Sequence, residues 1–260
     1  MSTPTPRFTV VAAVNNRKTL EANLLASPAL AGDDRVQLLI KEGFRSASLA
    51  YNDALDEARS DVVVFVHQDI YLPAGWFDQV AQAIESLESA GRPWGVLGSF
   101  GSRGDAFGGL GRVFTNGLGL HGNPIDRPEP AETLDEIVLI LRKSSGLRFD
   151  PKLSHFHMYG VDICMAARDA GLATFAIPAF CVHNTNQLLE LPPEFYECYH
   201  YVKRKWKRYL PIAASCMSLS RFDSEMRRKR FDEFVDRLLR RRRQPLRRVD
   251  DPRTLLVEKS

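Results

Sequence analysis

The sequence predicts an α/β protein in which a mostly parallel central sheet is flanked by helices. Short apolar runs, largely β-branched, alternate with longer segments that repeat apolar residues at helical spacing, which is the order of successive βαβ units. The strand-like runs contain almost no polar residues, as expected of parallel strands that helices cover on both faces. Polar residues collect immediately after several of these runs, where the strands must end.

The first half of the chain alternates regularly between the two kinds of segment. Three apolar runs are expected to form buried strands, at residues 8–14, 36–40 and 62–66. The segments between them carry apolar side chains on one helical face and are expected as helices, at residues 17–30 and 46–58. The predicted order of this half is therefore β-α-β-α-β.

Beyond residue 75 the alternation continues less regularly. A helix at residues 76–90 and a strand at residues 94–97 precede segment 98–122, which is too rich in glycine for a regular element. We expect that segment to form a mobile loop or a hairpin. Later elements are predicted as strands at residues 133–142, 173–177 and 179–182, and as a helix at residues 159–171.

The last quarter of the chain differs in composition from the rest. From residue 192 it becomes helical and basic, and its arginines cluster at residues 227–230, 240–243 and 247–248. The formal net charge of the whole chain is only +3, so the excess of positive charge is local. We predict one α/β domain over residues 1–189 and a helical, basic C-terminal extension over residues 190–260.

The sequence disfavours both membrane crossing and export. No apolar run approaches the roughly 20 residues that span a bilayer, and residues 1–7 lack the basic and then apolar order of a secretory signal. The four cysteines are widely separated and include no Cys-X-X-Cys pair, so we expect reduced thiols. These features predict a cytoplasmic protein.

Polar residues lie where a ligand site is expected. In open α/β sheets, ligands bind outside the carboxyl ends of the strands. Asn15, Glu42 and Asp69 each follow one of the first three predicted strands. Asp162 lies at the start of a predicted helix, and His183 follows a later strand. We therefore predict a ligand site at this edge of the sheet.

Three stretches of the sequence resemble the family 2 glycosyltransferases, which have the GT-A fold. Residues 48–58 are similar to the nucleotide-sugar helix of that family, and residues 61–69 are similar to the strand and Asp-X-Asp turn that follow it. Residues 149–171 are similar to the segment that contains the family's acidic catalytic pair. The resemblance covers residues 8–186 and implies a GT-A fold with a Rossmann-like nucleotide-binding half.

The resemblance implies an enzyme that moves a sugar from a nucleoside diphosphate sugar to a glycan, lipid-linked or protein acceptor, with residues 1–189 as its catalytic domain. A divalent ion can neutralise the departing diphosphate in such a reaction. Asp69 would coordinate this ion, which would be Mn²⁺ or Mg²⁺, and His183 would complete the coordination shell. An imidazole ligand is more compatible with Mn²⁺ than with Mg²⁺, so Mn²⁺ is the first choice. Asp162 matches the second acid of the catalytic pair and would act as general base in an inverting reaction.

The same resemblance assigns five residues to the nucleotide sugar: Asn15, Glu42, Asn52, His67 and Gln68. The chain departs from the family's pattern in three places. These are His67 for the first acid of the Asp-X-Asp turn, Val161 for the first acid of the catalytic pair, and Lys41-Glu42-Gly43 for the aspartates after the second strand. The departures leave a second interpretation open, a nucleotide-sugar-binding or scaffold protein without catalysis.

The arginine-rich tail supports hypotheses of its own. Residues 231–239 repeat apolar residues at helical spacing between two arginine clusters, which is typical of a basic amphipathic helix at an anionic membrane surface. One interpretation is peripheral contact with the inner face of the membrane through the C-terminal arginines. A second is general polyanion binding, with no specific nucleic acid expected. A third is a solvated helix that packs on the α/β domain.

Overall fold

A seven-stranded sheet organises the fold in the computed structural model, which describes residues 7–104, 108–186, 190–239 and 246–259. Within these residues the strands are β1 Phe8–Val14, β2 Val36–Glu42, β3 Val62–His67, β4 Ile70–Tyr71, β5 Trp94–Gly98, β6 Gly101–Ser102, β7 Val113–Thr115, β8 Gly119–His121, β9 Glu129–Pro130, β10 Thr133–Leu134, β11 Val138–Arg142, β12 Ala173–Ala176 and β13 Val182–His183. The helices are α1 Arg17–Ala22, α2 Ala47–Glu57, α3 Trp76–Ser89, α4 Tyr159–Asp169, α5 Pro193–Lys205 and α6 Ser224–Leu238.

The large sheet has the strand order β2-β1-β3-β11-β5-β12-β9. Strand β1 is parallel to both β2 and β3, and β12 is parallel to β5. Strand β11 is antiparallel to β3 and β5, and β9 is antiparallel to β12. Five of these seven strands therefore run in one direction, which confirms the predicted α/β class with a mostly parallel sheet.

Helices cover both faces of this sheet because side chains alternate along each strand. Val10 and Ala12 of β1 face a core that also contains side chains of α1 and α3. Val11, between them, faces a second core that contains side chains of α2, α4 and α5. All three residues of β1 are fully buried. The unbroken apolar runs of the sequence are thus strands covered on both sides.

The first helix is shorter than the sequence predicts. It ends at Ala22 rather than near residue 30, because the side-chain amide of Asn23 donates to the Thr19 carbonyl at 2.8 Å and the chain turns there. The Asn23 Oδ1 in turn accepts a hydrogen bond from Asn184 at 2.7 Å. A tertiary contact with the end of β13 therefore competes with the helical pattern of residues 23–30.

The predicted strand at residues 133–142 is interrupted in the structure. β10 pairs with β6, whereas β11 lies in the large sheet, and the three residues between them leave the strand path. Asp135 holds this break, because its Oδ1 accepts a hydrogen bond from the Ile137 amide at 3.1 Å. The break places Glu136 beside the first turn of α4.

A smaller sheet with the order β4-β13-β7-β8 lies next to the third strand of the large sheet. It contains the antiparallel pair β7 and β8, which confirms a hairpin in the glycine-rich segment. Residues 105–107 of that segment lie outside the described residues. In the same sheet, His183 of β13 pairs with Ile70 of β4, one residue after Asp69. This pairing brings the end of β13 to the turn that follows β3.

The C-terminal part of the chain contributes to the same core. The predicted division at residue 189 lies outside the described residues. Helix α5 packs against α2 and α4 through buried Phe195, Tyr199 and Val202. None of the described helices is both long and apolar enough to cross a bilayer. The four cysteines are free, as the sequence predicts, and all but Cys216 are buried.

Candidate active site

Five of the predicted site residues meet at the carboxyl ends of the first three strands. The parallel register places Ala13 opposite His67 and Val14 opposite Glu42, so these three strands end at one level. A cavity of about 620 Å³ opens at this edge. Among the residues that line it are Asn15, Glu42, His67, Gln68 and Asp69. The structure therefore brings Asn15, Glu42 and Asp69 together at one edge of the sheet, with His67 and Gln68 beside them.

The cavity has a polar rim and an aromatic wall. Gln68 joins the ends of β1 and β3, because its Nε2 donates to Asn15 Oδ1 at 2.6 Å and its Oε1 accepts from the Asn16 amide at 3.0 Å. Phe44, on the other side, lines the cavity together with Tyr51, Phe156 and Tyr159. Such a cleft can stack a planar base on one side and bind polar groups on the other.

A group suited to a metal ion lies at the β3 end of the cavity. His67, Asp69 and His183 each offer one ligand atom, and these atoms all lie within 4.8 Å of one another. Asp69 is buried, and its Oδ1 lies 3.4 Å from His183 Nε2. Two imidazoles and one carboxylate form a donor set that fits a divalent transition ion such as Mn²⁺. His67 stands where the resembling family has the first acid of its Asp-X-Asp turn, and an imidazole can also bind a metal ion. This departure from the family's pattern therefore keeps a possible metal ligand at that position.

The ionisation states of this group favour metal binding. Burial, together with the nearby His183, lowers the pKa of His67 to about 4, so its imidazole is neutral near pH 7 and has a lone pair to donate. Burial raises the pKa of Asp69, but the hydrogen bond with His183 and the electrostatic interactions with His183, with Arg248 and, at low pH, with protonated His67 outweigh it, and the pKa lies below its usual value. The carboxylate is therefore ionised.

An arginine from the C-terminal segment reaches this group. Arg248 Nη2 donates to Asp69 Oδ2 at 2.8 Å, its Nε donates to the Asn184 carbonyl at 2.6 Å, and its Nη1 donates to Thr19 Oγ1 at 2.8 Å. Further bonds between Asn184 and the backbone of Val249 fasten the segment. The sequence places Arg248 among the tail arginines, and the structure places it at the candidate metal site.

Two of the other predicted residues have structural partners. Asn52 does not line the cavity, since its side chain makes two hydrogen bonds with the backbone of Phe149, at 2.8 and 3.0 Å. Asp162 is 2% exposed, and its Oδ1 accepts from Trp206 Nε1 at 2.7 Å and lies 2.7 Å from Lys205 Nζ. Burial raises the pKa of Asp162 although both partners oppose the shift. Its role as the base stays a prediction.

Sequence reasoning missed Glu136, which is linked by hydrogen bonds to Gly160 in the first turn of α4 and, through Tyr159, to His67 of the candidate metal site. Its Oε1 accepts from the Gly160 amide at 3.0 Å, and its carbonyl accepts from the Tyr159 hydroxyl at 3.3 Å. Tyr159 Oη also lies 2.8 Å from His67 Nε2. A Cβ on Gly160 would stand 2.8 Å from the Glu136 Cγ, so the missing side chain at residue 160 makes room for this carboxyl group.

The environment of Glu136 changes its acidity. Burial raises the pKa of Glu136 to about 8 although the Gly160 amide opposes the shift. The Asp135 charge acts in the same direction as burial. A signal existed in the sequence, since Asp135 and Glu136 are two consecutive acids ahead of an apolar run. Both acids lie inside the strand predicted at residues 133–142, and that prediction gives them no role in a site.

Solved structures resemble this chain more clearly than known sequences do. No model of a known protein family matches the sequence. The chain is 28% identical over 169 residues to the protein called ATP synthase subunits region ORF 6 of Fuscovulum blasticum, a match that covers 62% of this chain and 66% of that protein. It therefore spans just under two thirds of that relative's length.

A structure of GalNAc-T7 with UDP, GalNAc and Mn²⁺ matches with a TM-score of 0.53 and 11% identity, over 78% of this chain and 48% of that one. The chain has the GT-A fold. Two further GT-A structures match with lower TM-scores. Staphylococcus aureus TarS 1–349 with UDP-GlcNAc has a TM-score of 0.46 and 14% identity, over 76% of this chain and 66% of that one. A Pyrobaculum calidifontis mannosyltransferase with GDP-Man and Mn²⁺ has a TM-score of 0.45 and 16% identity, over 82% of this chain and 67% of that one.

The GT-A fold accounts for the position of the cavity. Its sheet places the carboxyl ends of β1, β2 and β3 side by side, and the smaller sheet brings His183 to the turn after β3. The predicted GT-A architecture is confirmed, whereas membership of family 2 stays a prediction. The identities to the solved structures are low, so the similarity concerns the fold, and the activity has to be argued from the residues of this chain.

Proposed function

We propose that this protein is a metal-dependent glycosyltransferase that uses a nucleoside diphosphate sugar and inverts the configuration at the anomeric carbon. One observation carries the proposal. In a GT-A fold, the ligand atoms of His67, Asp69 and His183 lie within 4.8 Å of one another at the end of the donor-sized cavity. A buried ionised carboxylate beside two imidazoles is costly unless a cation compensates it, and Arg248 supplies that charge in the structure.

The cavity suits a nucleoside diphosphate. Phe44 and Phe156 can pack against the base, the Asn15 amide can donate or accept hydrogen bonds, and the Glu42 carboxylate can accept them from base N–H or ribose hydroxyl groups. We assign a positioning role to Asn52, since it holds the Phe149 segment rather than lining the cavity. The diphosphate would then extend toward Asp69.

His67, Asp69 and His183 would hold the ion, with Mn²⁺ preferred over Mg²⁺ because two of the three ligands are imidazoles. The ion would supply positive charge to the leaving diphosphate. Arg248 would also supply positive charge to the diphosphate, because a guanidinium can bind phosphate oxygens through two parallel hydrogen bonds. Its bonds to Asn184 and Thr19 fix it within reach of Asp69.

Arg248 and the ion would compete for the carboxylate of Asp69. We expect Arg248→Ala to tighten Mn²⁺ binding by about tenfold in the absence of donor, because one charge-assisted hydrogen bond to Asp69 no longer has to be broken. The same change should weaken donor binding, because a cation near the diphosphate is lost. Titration calorimetry with Mn²⁺ and then with donor measures both constants.

Arg247→Ala is the matched control, because Arg247 is exposed and contributes only its carbonyl to the contact with Asn116. Equal Mn²⁺ affinities for Arg248→Ala and the unchanged protein would contradict the competition. Weaker Mn²⁺ binding in Arg248→Ala would show instead that the arginine supports the metal site.

We assign the general base to Glu136. Asp162, the candidate from the sequence, is 2% exposed and accepts hydrogen bonds from Lys205 and Trp206, and both partners stabilise its ionised form. The main-chain carbonyl of Glu136 accepts from the Tyr159 hydroxyl, which also lies 2.8 Å from His67 Nε2, so Tyr159 connects residue 136 with the group of His67, Asp69 and His183. A carboxyl group with a raised pKa is a stronger base once it is ionised, which suits abstraction of a proton from an acceptor hydroxyl.

A thermal-shift screen of UDP, GDP, CDP and dTDP sugars, with and without Mn²⁺, tests the donor class. A ligand at about 100 times its Kd stabilises the folded state by about 2.7 kcal/mol, which raises the melting temperature by several degrees. We expect one nucleotide class to do so, and only with the ion present. Absence of a shift with every donor would contradict the proposal.

A nucleotide-sugar-binding protein without catalysis is the second candidate. Val161 in place of an acid and the engagement of Asp162 by Lys205 and Trp206 favour it. Donor hydrolysis separates the two functions. An active enzyme releases nucleoside diphosphate slowly even without acceptor, whereas the binder shows the thermal shift and no turnover.

A further inference from the structure

Helix α6 has one face attached to the protein and one face exposed. Met226 is buried in the core that contains α2, α4 and α5. Glu233, two turns later, lies 3.5 Å from the Tyr196 hydroxyl of α5, and the Arg230 guanidinium lies 5.5 Å from the ring centre of Tyr196. The helix is therefore held in a defined orientation on α5.

The exposed face carries three large apolar side chains. Phe231, Phe234 and Leu238 are 64%, 58% and 69% exposed. Their spacing of three and four residues places them next to one another along one side of the helix. Phe222, just before the helix, is 80% exposed. Contiguous exposed apolar side chains on a fixed helix mark an interaction surface.

Arginines border the same face. Arg227 lies one helical turn before Phe231 on the same side of the helix, whereas Arg230 lies on the flank that packs on Tyr196 of α5. Arg228, three residues before Phe231, lies on the other flank. All three arginines are exposed. Asp232 and Asp236 lie on the side away from the three apolar residues, by the angular spacing of the helix.

We propose that the face formed by Phe231, Phe234 and Leu238, with Arg227 and Arg228 beside it, docks the protein onto an anionic lipid bilayer. The partner follows from the chemistry of the face. Aromatic and leucine side chains insert at the boundary between headgroups and acyl chains, and arginines bind the phosphates above it. A protein partner would call for few charges at the centre of the face, and a nucleic acid would leave the three apolar side chains unused.

The docking face does not depend on the proposed transfer reaction. Its residues are separate from those that line the cavity, and vesicle binding requires neither donor nor ion. The experiment is flotation of the full chain with vesicles of phosphatidylcholine, with and without phosphatidylglycerol. We expect binding to the mixed vesicles, and binding at least tenfold weaker to phosphatidylcholine alone.

Two sets of substitutions test the two parts of the face. Phe231→Ser, Phe234→Ser and Leu238→Ser in combination should lower vesicle affinity at least tenfold without loss of melting temperature, because all three side chains are exposed. Arg227→Gln with Arg228→Gln should lower it by about 30-fold, since each basic residue near an anionic surface adds about fivefold to the binding constant. Leu118→Ser, which removes another exposed leucine at 68% exposure, is the control and should bind like the unchanged protein.

Three results would overturn the proposal. Equal affinity for vesicles with and without phosphatidylglycerol would show that the arginines do not bind anionic headgroups, and the proposed anionic partner would be wrong. A dimer that forms with protein concentration and is lost in the triple variant, without vesicle binding, would assign the face to a second copy of the chain. Binding of heparin or single-stranded RNA that survives the triple variant, again without vesicle binding, would assign the arginines to a polyanion. The Asp69→Ala protein should float like the unchanged one, so failure of the transfer reaction and failure of docking remain distinguishable.

Discussion

Replacement of Asp69 by Ala is expected to lower donor turnover by on the order of 10³-fold, which is one of the two largest effects that the candidate site predicts. The carboxylate is the only anionic member of the His67, Asp69 and His183 group, and its ionised state is favoured by both histidines and by Arg248. Without it, a divalent ion would have only two neutral ligands from this group. The measurement is release of nucleoside diphosphate from the donor identified by the thermal-shift screen, with Mn²⁺ present.

The same substitution should abolish the part of the donor thermal shift that depends on Mn²⁺. Asp34→Ala is the control, because Asp34 is an exposed carboxylate outside the cavity. His67→Ala and His183→Ala should each weaken Mn²⁺ binding less than Asp69→Ala does, because each removes a neutral ligand. If Asp69→Ala retains the turnover and the Mn²⁺ response of the unchanged protein, the metal centre lies elsewhere. The grouping of His67, Asp69 and His183 would then no longer support the proposed function.

The sequence predicts the strand ends that form this site, but it does not predict the tertiary contacts that complete the site. Strands β1 and β3 are apolar except for Thr9 and the final His67, so their ends could be predicted, and with them the meeting of Asn15, Glu42 and Asp69. The rule that ligands bind at the carboxyl ends of parallel strands needs only the order of elements. The order of strands and helices can be predicted from the local pattern of apolar residues in the sequence.

The contacts that complete the site depend on tertiary structure. Arg248 and Asp69 are 179 residues apart in the sequence, and no local pattern connects an arginine of the tail with the turn after β3. Glu136 is a related case, because the sequence shows the two consecutive acids Asp135 and Glu136 but does not show the turn that takes them out of the strand path. Asn52 shows the converse, since its position in the helix is predicted but its side chain binds the Phe149 backbone.

The second large effect concerns the base. Glu136→Gln should lower turnover by about 10²–10⁴-fold, because a general base contributes an effect of that size and the amide cannot accept the proton. The amide oxygen can still accept from the Gly160 amide, so the fold around residue 136 should persist. Asp162→Asn should instead reduce stability by about 1–3 kcal/mol, because it weakens the bonds from Lys205 and Trp206. Loss of turnover in Asp162→Asn with unchanged stability, and normal turnover in Glu136→Gln, would return the base to Asp162.

The pH dependence of both rate and stability provides an independent check on Glu136. With a pKa of about 8 the base is ionised only at higher pH, so turnover should rise with pH and level off above about 8. Stability should change in the opposite direction. The ordinary pKa of this carboxyl group is 4.5, so between about 4.5 and 8 the folded state holds a proton that the unfolded chain releases, and the free energy of unfolding falls as pH rises.

This fall amounts to at most about 1.4 kcal/mol per pH unit. Other groups titrate in part of the same window, since the lowered pKa of His67 makes stability rise between about pH 4 and 6.5. The difference between the denaturation curves of the unchanged protein and of Glu136→Gln isolates the contribution of residue 136, because the His67 contribution is present in both. Chemical denaturation at a series of pH values measures that difference, and two parallel curves would show that Glu136 has an ordinary pKa and does not have the properties of the proposed base.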